Sequence, residues 1–395
     1  MDVIYHANCL DGSLCTFAIF LYHQLNSSQL TARRDGFSEQ VIEYIFKLDS
    51  ITIWDNIDFK AWEKEAEKNC TGGLSHSDFL SLPYVPDDSN CIYGLEVDNY
   101  EYYFSLMYKK GVFRKGALKD LLIVADATAN YESIKRLAKY YKMILLIDHH
   151  KSFTKEFPKY QEDKIDNVRI VYSNKFCASS LVFNLMQKVF GNLWQFFNSN
   201  RSKDFIKKIE YINRNDTSVP DDDPTNSFIE GARRIQVHKI ESLSSIHIFK
   251  SMNYSVETLQ SMGMPNLAKK HSLVSKNIAS FMQLKILRKN DESDPMLIVC
   301  YGKFIQPGFK YLSETGKRLA ELSLKDNGVG LSVIIRKQDD GYYISLRSIE
   351  EDDFDCEDLA SYFQGGGHKR AAGCFIQEKR FKDHFAVLNL INAKG

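Results

Sequence analysis

Met143-Ile144-Leu145-Leu146-Ile147-Asp148-His149-His150 is a run of five apolar residues that stops abruptly at a carboxylate and two imidazoles. The run has strand length and no polar alternation, which predicts a parallel strand buried on both faces. Asp148, His149 and His150 then fall just past its carboxyl end, where open α/β sheets place their ligands. Carboxylate and neutral imidazole are also the groups that Mn, Fe and Zn sites take as ligands.

Two other stretches end the same way. Val3-Ile4-Tyr5 runs into His6 and then Asn8-Cys9-Leu10-Asp11-Gly12, followed by helical spacing at Leu14, Phe17, Ala18, Leu21 and Leu25. Leu121-Leu122-Ile123-Val124-Ala125 runs into Asp126, with Thr128 and Asn130 placed to cap a helix. Taken singly, each is an ordinary polar loop after a buried strand. A parallel sheet, however, brings all three ends to one crevice although they are far apart in sequence, and together they predict a metal site.

These motifs resemble those of the DHH phosphoesterase superfamily: an N-terminal His/Asp motif, a strand-terminal Asp, and Asp-His-His. Lys175-Phe176-Cys177-Ala178-Ser179-Ser180-Leu181-Val182 resembles the helix start that follows Asp-His-His. Tyr211-Ile212-Asn213-Arg214-Asn215-Asp216 resembles a fourth motif whose last Asp is a metal ligand. In the C-terminal half, Ile344-Ser345-Leu346-Arg347-Ser348, Leu359-Ala360 and Gly365-Gly366-Gly367-His368-Lys369-Arg370-Ala371-Ala372-Gly373 are similar to the substrate-binding domain of one branch, the nanoRNase or oligoribonuclease type. The motifs keep the family's order from residue 3 to about residue 378.

The resemblance implies a doubly wound, mainly parallel α/β domain over 1–245, with an insertion at about 26–117. A helical connector over 246–290 and a smaller α/β substrate-binding domain over 291–395 follow. It also implies metal ligands His6, Asp11, Asp126, Asp148, His149 and Asp216. His6 and Asp11 would hold one ion and His149 and Asp216 the other, with Asp126 as the bridge. Asp148, His149 and His150 form the catalytic group, His150 supporting the metal shell or meeting substrate. Two divalent ions about 3.5–4 Å apart would neutralise phosphoryl charge and acidify a water. Mixed imidazole and carboxylate ligands favour Mn²⁺, with Mg²⁺ or Co²⁺ as substitutes. Asp11 has Cys9 and Ser13 where much of the superfamily carries a second Asp, and Cys9 reads either as a soft ligand or as a small buried residue.

Substrate binding is assigned to Arg347, Ser348, Gly365, Gly366, Gly367 and His368. Three glycines let a backbone approach phosphate closely and offer an anion nest. His368 adds a donor at the start of a helix-like stretch, and Arg347 suits bidentate phosphate contact. The alternative for the glycines is a turn that permits tight helix–strand packing. The acidic run Glu350 to Asp355 reads as a solvated loop.

Composition bounds the rest. A chain of 395 residues suits two domains, and 51 basic against 51 acidic residues leave no bulk field for long nucleic acid. Eight cysteines without a CxxC pair read as reduced thiols in a cytoplasmic protein. No signal-peptide pattern or membrane-length apolar run occurs. Ile246 to about Arg288 reads as mostly helical, Asn290–Pro295 as a boundary, Leu297–Tyr301, Gly330–Lys337 and Tyr342–Arg347 as strands, and Phe381–Leu390 as a terminal helix. Tyr100-Glu101-Tyr102-Tyr103-Phe104, with Tyr108, Phe113 and nearby lysines, would either stack bases or pack on the core.

The expectation is a metal-dependent phosphodiesterase that converts short oligonucleotides or linear dinucleotides to mononucleotides in an interdomain cleft. No long duplex and no membrane is expected as partner, and a homodimer is left open. Two alternatives stand: a phosphoanhydride hydrolase acting on polyphosphate or pyrophosphate, and a non-catalytic nucleotide-binding regulator with a degenerate site.

Overall fold

Alternation of side chains along short apolar strands builds both sheets. The computed structural model describes residues 1–6, 10–29, 36–69, 91–95, 118–127, 130–191, 199–216, 219, 223–235, 254–290, 294–349 and 351–392. It divides into two compact units, Met1–Met264 and Pro265–Gly395. The aromatic and lysine cluster at 100–115 lies outside the described residues, as do Cys9 and Thr128.

In the first unit the chain runs through strand β1 (Asp2–His6), helices α1 (Leu10–Gln29) and α2 (Gly36–Phe46), strand β2 (Ile51–Ile53), helix α3 (Phe59–Asn69), and strands β3 (Cys91–Leu95) and β4 (Lys119–Ala125). Helix α4 (Tyr131–Leu137), strand β5 (Tyr141–Asp148), helix α5 (Phe157–Glu162) and strand β6 (Val168–Tyr172) follow. Helices α6 (Ala178–Phe190), α7 (Ser199–Asp216), α8 (Pro224–Ile235) and α9 (Val256–Asn277) complete it, α9 crossing into the second unit at Pro265.

The six strands form one all-parallel sheet in the order β2-β6-β5-β4-β1-β3. Odd-numbered residues (Val3, Leu121, Ile123, Met143, Leu145, Ile147, Val171) bury against α1, α6 and α7, while even-numbered ones (Ile4, Leu122, Val124, Ile144, Leu146, Ile170) bury with Ile134, Phe153 and Tyr160. Burial on both faces is why β4 and β5 read as unbroken apolar runs. The segment 26–117 is no appendage, since its strands β2 and β3 are the two edges of the sheet. Helix α1, which follows β1, packs on one face of the sheet and α4, which follows β4, on the other, so the carboxyl ends of these adjacent strands open the crevice in which doubly wound sheets bind ligands.

The second unit contains strands β7 (Ser280–Asn290) and β8 (Asp294–Ile305), helix α10 (Leu312–Asn327), strands β9 (Leu331–Gln338) and β10 (Gly341–Ser348), helix α11 (Cys356–Tyr362), strands β11 (Gly366–His368) and β12 (Ala371–Gln377), helix α12 (Glu378–His384) and strand β13 (Phe385–Asn392). They make a seven-stranded mixed sheet in the order β11-β12-β10-β9-β8-β7-β13, parallel only between β8 and β9. One face buries Leu284, Cys300, Val333, Ile335, Ile344, Leu346 and Cys374 against Leu359 and Phe381. The other packs Phe281, Tyr301 and Ile334 against Leu319 of α10.

Three local expectations change. Ser280–Asn290 is a strand paired with β8, so Asn290 and Asp294 close a hairpin; the alternation of Met282, Leu284 and Ile286 with Gln283 and Lys285 supports it. Phe381–Leu390 is helical only to His384, because Phe385–Asn392 pairs antiparallel with β7. His368 ends strand β11 rather than starting a helix, since Gly366–His368 pairs with Ala371–Gly373. Among the described residues, no helix is long and apolar enough to cross a membrane.

Candidate metal centre

The carboxyl ends of β1, β4 and β5 converge, as the sequence predicts for a parallel sheet. One ligand atom from each of Asp126, Asp148, His149 and His150 lies within 4.8 Å of all the others. His149 Nε2 stands 3.2 Å from Asp126 Oδ1 and 3.6 Å from Asp11 Oδ2. His6 Nδ1 stands 3.7 Å from Asp126 Oδ2.

Local backbone geometry aims these groups. Asp126 adopts φ 57°, a left-handed conformation that few residues other than Gly, Asn and Asp accept at low cost. Its N–H donates to the Ile147 carbonyl at 2.9 Å, tying the end of β4 to that of β5. Asn130 caps α4 by accepting from the Ser133 N–H at 2.9 Å. Asp148 Oδ1 accepts from the His149 N–H at 2.7 Å and the His150 N–H at 3.1 Å, and lies 2.5 Å from His150 Nδ1. One carboxylate oxygen thus folds the Asp-His-His turn and orients the second imidazole.

Asp11 has a role that sequence spacing did not reveal. Its two oxygens accept from the Ala178 and Ser179 N–H groups at 2.9 and 2.8 Å, at the start of α6. The carboxylate therefore caps the helix whose opening residues resemble the family's third motif, and it complements the positive end of that helix. Asn213 supports the same turn by accepting from the Cys177 N–H at 2.7 Å. Gly12 is required beside Asp11, because a Cβ there would meet the His6 carbonyl at 2.4 Å and Asp126 Oδ2 at 3.2 Å.

Electrostatics favour a cation. Asp11, Asp126 and Asp148 are each at most 2% exposed. Asp126 Oδ2 and Asp148 Oδ2 are buried without a hydrogen-bond partner, an arrangement that is costly unless a positive charge faces them. Burial and then the Asp126 charge push the Asp11 carboxyl above its ordinary value, against the opposing pull of His149 and the Ser179 contacts. Burial also acts to raise Asp126, but contacts with His149 and His6, and the charges of His149 and His150, outweigh it and hold it well below the usual carboxylate range. For His150 burial works downward, yet Asp148 prevails and raises it. Orphaned carboxylate oxygens beside imidazole nitrogens fit a divalent transition ion. Asp216 is the last residue of α7, and its side chain lies outside the described part of the structure.

The substrate-binding candidates fall together in the second unit. Arg347 Nη2 donates to Ser313 Oγ at 3.0 Å and Nη1 to the Leu346 carbonyl at 2.7 Å, while Nε is buried without a partner. Burial lowers the pKa of this guanidinium. Ser348 Oγ donates to the Phe354 and Lys369 carbonyls at 3.1 and 3.2 Å, which fixes the turn after β11. Gly365 and Gly367 answer to packing: a Cβ would lie 2.1 Å from the Gly373 carbonyl at the first and 2.6 Å from the Ala371 carbonyl at the second, where φ is 145°. Gly366 alone is open, with nothing within 4 Å. The acidic run is not merely solvated, since Asp352 accepts from the Gly330 N–H and Asp355 caps α11 through the Glu357 and Asp358 N–H groups.

Residues 308–393 match the DHHA1 domain. No curated protein matches the chain. Similar solved structures include an exopolyphosphatase-related protein from Bacteroides fragilis (16% identity, 94% of this chain and 85% of that one, TM-score 0.41). Another is the DHH domain of a member of a family of ribosomal proteins (13% identity, 87% of each chain, TM-score 0.46). A third is the pGpG-specific phosphodiesterase PggH from Vibrio cholerae (10% identity, 97% and 95%, TM-score 0.40). A DHHA1 domain thus occupies most of the second unit, and in the first unit Asp148-His149-His150 closes strand β5.

Proposed function

We propose that the protein is a divalent-metal-dependent phosphodiesterase that hydrolyses short oligonucleotides or linear dinucleotides to mononucleotides. The observation that carries this reading is the pair of buried carboxylate oxygens without hydrogen bonds on Asp126 and Asp148, set among His149, His150 and His6. Asp126, Asp148 and His149 would hold metal, joined by His6, Asp11 and Asp216; two Mn²⁺ ions suit this ligand set, with Mg²⁺ or Co²⁺ as weaker substitutes. Bound divalent ions would neutralise the phosphoryl oxygens and acidify an attacking water.

The chain's own groups supply position. Asp148 orients His150 through Nδ1, which holds the imidazole within the ligand cluster. Asp11, by holding the start of α6, keeps its own carboxylate facing His149. Arg347 offers a fork for a phosphate, and the open backbone at Gly366 offers close approach.

The test is a substrate panel with and without metal. Activity should vanish in EDTA and return best with Mn²⁺ or Co²⁺; Asp126→Asn and His149→Ala should each lower kcat by several orders of magnitude. Full activity after dialysis against EDTA refutes the reading. Orthophosphate release in place of mononucleotide identifies a phosphoanhydride hydrolase, and neither product a nucleotide-binding regulator.

A further inference from the structure

The sheet face that carries Arg347 also carries two exposed aromatic rings. Alternation along β10 sends Tyr343, Ser345 and Arg347 to one side. The register sets Arg336, Ile334 and Ser332 beside them on β9, and Phe375, Gly373 and Ala371 on β12. Helix α10 covers this face at its Arg347 end, where the Ser332 hydroxyl donates to the Gly316 carbonyl and Leu319 packs on Ile334. At the Tyr343 row the cover stops: Tyr343 is 39% exposed and Phe375 40%.

The rings are laid flat by glycines. A Cβ on Gly373 would sit 2.9 Å from Tyr343 Oη, so Tyr343 reaches back along the sheet toward Arg347 and lies over Gly373. Gly373 is paired with Gly366, the open glycine. Phe375 leans the other way, over Gly341. The Arg336 guanidinium lies 5.4 Å from the Tyr343 ring centroid, adding a cation at the rim. The Tyr343 ring thus lies about two residues along the strand, or roughly 7 Å, from the Arg347 row. That is within reach of the base of a nucleotide whose phosphate Arg347 holds.

We propose that the Tyr343 ring forms a base-stacking platform that makes this unit prefer nucleotides over ligands that offer phosphate alone. The proposal rests on the reading that Arg347 and the glycine stretch hold a substrate phosphate. Stacking on an aromatic face is tolerant of base identity, so the platform selects for a base but little among bases. A sheet also uses aromatic rings simply to cover glycines, and the two roles separate by ligand.

The full chain is titrated in EDTA, which prevents turnover, with 2-aminopurine riboside 5′-monophosphate by fluorescence and with pyrophosphate by calorimetry. Tyr343→Leu should weaken the nucleotide about 5- to 150-fold, the range for loss of one stacked base, and change pyrophosphate less than twofold; Tyr343→Phe should match the wild type. Tyr343→Met makes the same comparison if Tyr343→Leu does not fold. Unchanged nucleotide binding in the Tyr343 variants that lack the ring, or equal loss of both ligands, overturns the platform and leaves a packing role. Wild type that binds pyrophosphate and not the nucleotide overturns the platform alone, whereas binding of neither removes the phosphate-holding reading as well.

Discussion

Alanine substitution along Gly365-Gly366-Gly367 separates a glycine stretch that serves packing from one that serves substrate. At Gly367 the added Cβ meets the Ala371 carbonyl and Ala372 Cα, both at 2.6 Å, and φ is 145°. Strain at such a backbone costs about 1–3 kcal/mol, and overpacking adds about 1–3 kcal/mol. Gly367→Ala should therefore destabilise by about 2–6 kcal/mol. Gly365→Ala meets backbone at 2.1 Å without the φ penalty and should lose about 1–3 kcal/mol. Gly366→Ala meets nothing within 4 Å, and the loss of unfolded-state freedom should stabilise by about 0.4–1 kcal/mol. Urea unfolding followed by circular dichroism reads these changes, because a slope of about 1–3 kcal/mol per molar makes them visible in the midpoint. If the Gly366 backbone approaches a phosphate, the methyl group holds that phosphate off, and Gly366→Ala should raise KM about tenfold or more despite its stability. Wild-type KM in a stable Gly366→Ala would refute the phosphate-contact reasoning and leave packing as the sole reason for the glycines. A Gly367→Ala as stable as wild type would refute the geometry itself.

Three further outcomes follow from the structure. Gly12→Ala, pressed against the His6 carbonyl and Asp126 Oδ2, should lose about 1–3 kcal/mol and weaken Mn²⁺ binding; an unchanged urea midpoint and Mn²⁺ titration would show that the contact yields freely. Asp223 precedes α8 and accepts from the Thr225 N–H at 2.8 Å; burial works upward on its carboxyl, but the Thr225 bonds and Arg214 prevail and lower it. A lowered folded-state value stabilises above the unfolded value of about 3.9 and is lost as pH falls through the folded one. Asp223→Ala should thus cost about 1 kcal/mol near neutrality and progressively less below about pH 4, as melting across pH would report; a pH-independent gap would exclude the carboxylate as its source. Substrates of about two to five nucleotides should give the highest kcat/KM, with a salt slope near 0.7 per phosphate neutralised. Efficiency that holds or rises to about twenty nucleotides would instead indicate an extended groove.

The strand ends were legible because they are local: an apolar run of strand length followed at once by carboxylate and imidazole needs no partner to be recognised. His6, Asp126 and Asp148-His149-His150 could be placed in one crevice from the parallel-sheet rule alone. The resemblance likewise pointed to a DHHA1 unit around Arg347 and the glycines. What remained hidden depends on partners distant in sequence. Asp11 reads as a ligand by motif, yet its hydrogen bonds go to N–H groups 167 and 168 positions away, and only folding brings that helix start to it. The left-handed backbone of Asp126 is held by the hydrogen bond to Ile147 on the neighbouring strand, which no local pattern encodes. Phe385–Asn392 has apolar content compatible with a helix or a strand, and pairing with β7 settles it. His368 follows the same rule, since a glycine run has no intrinsic preference and the antiparallel partner at Ala371–Gly373 makes it a strand. Sequence by itself determined which residue types stand at the ends of which strands, because hydrophobic burial is written residue by residue. Tertiary structure decided which of those groups face one another and which hold the backbone in place, because hydrogen-bond partners and sheet register form only when separate segments meet.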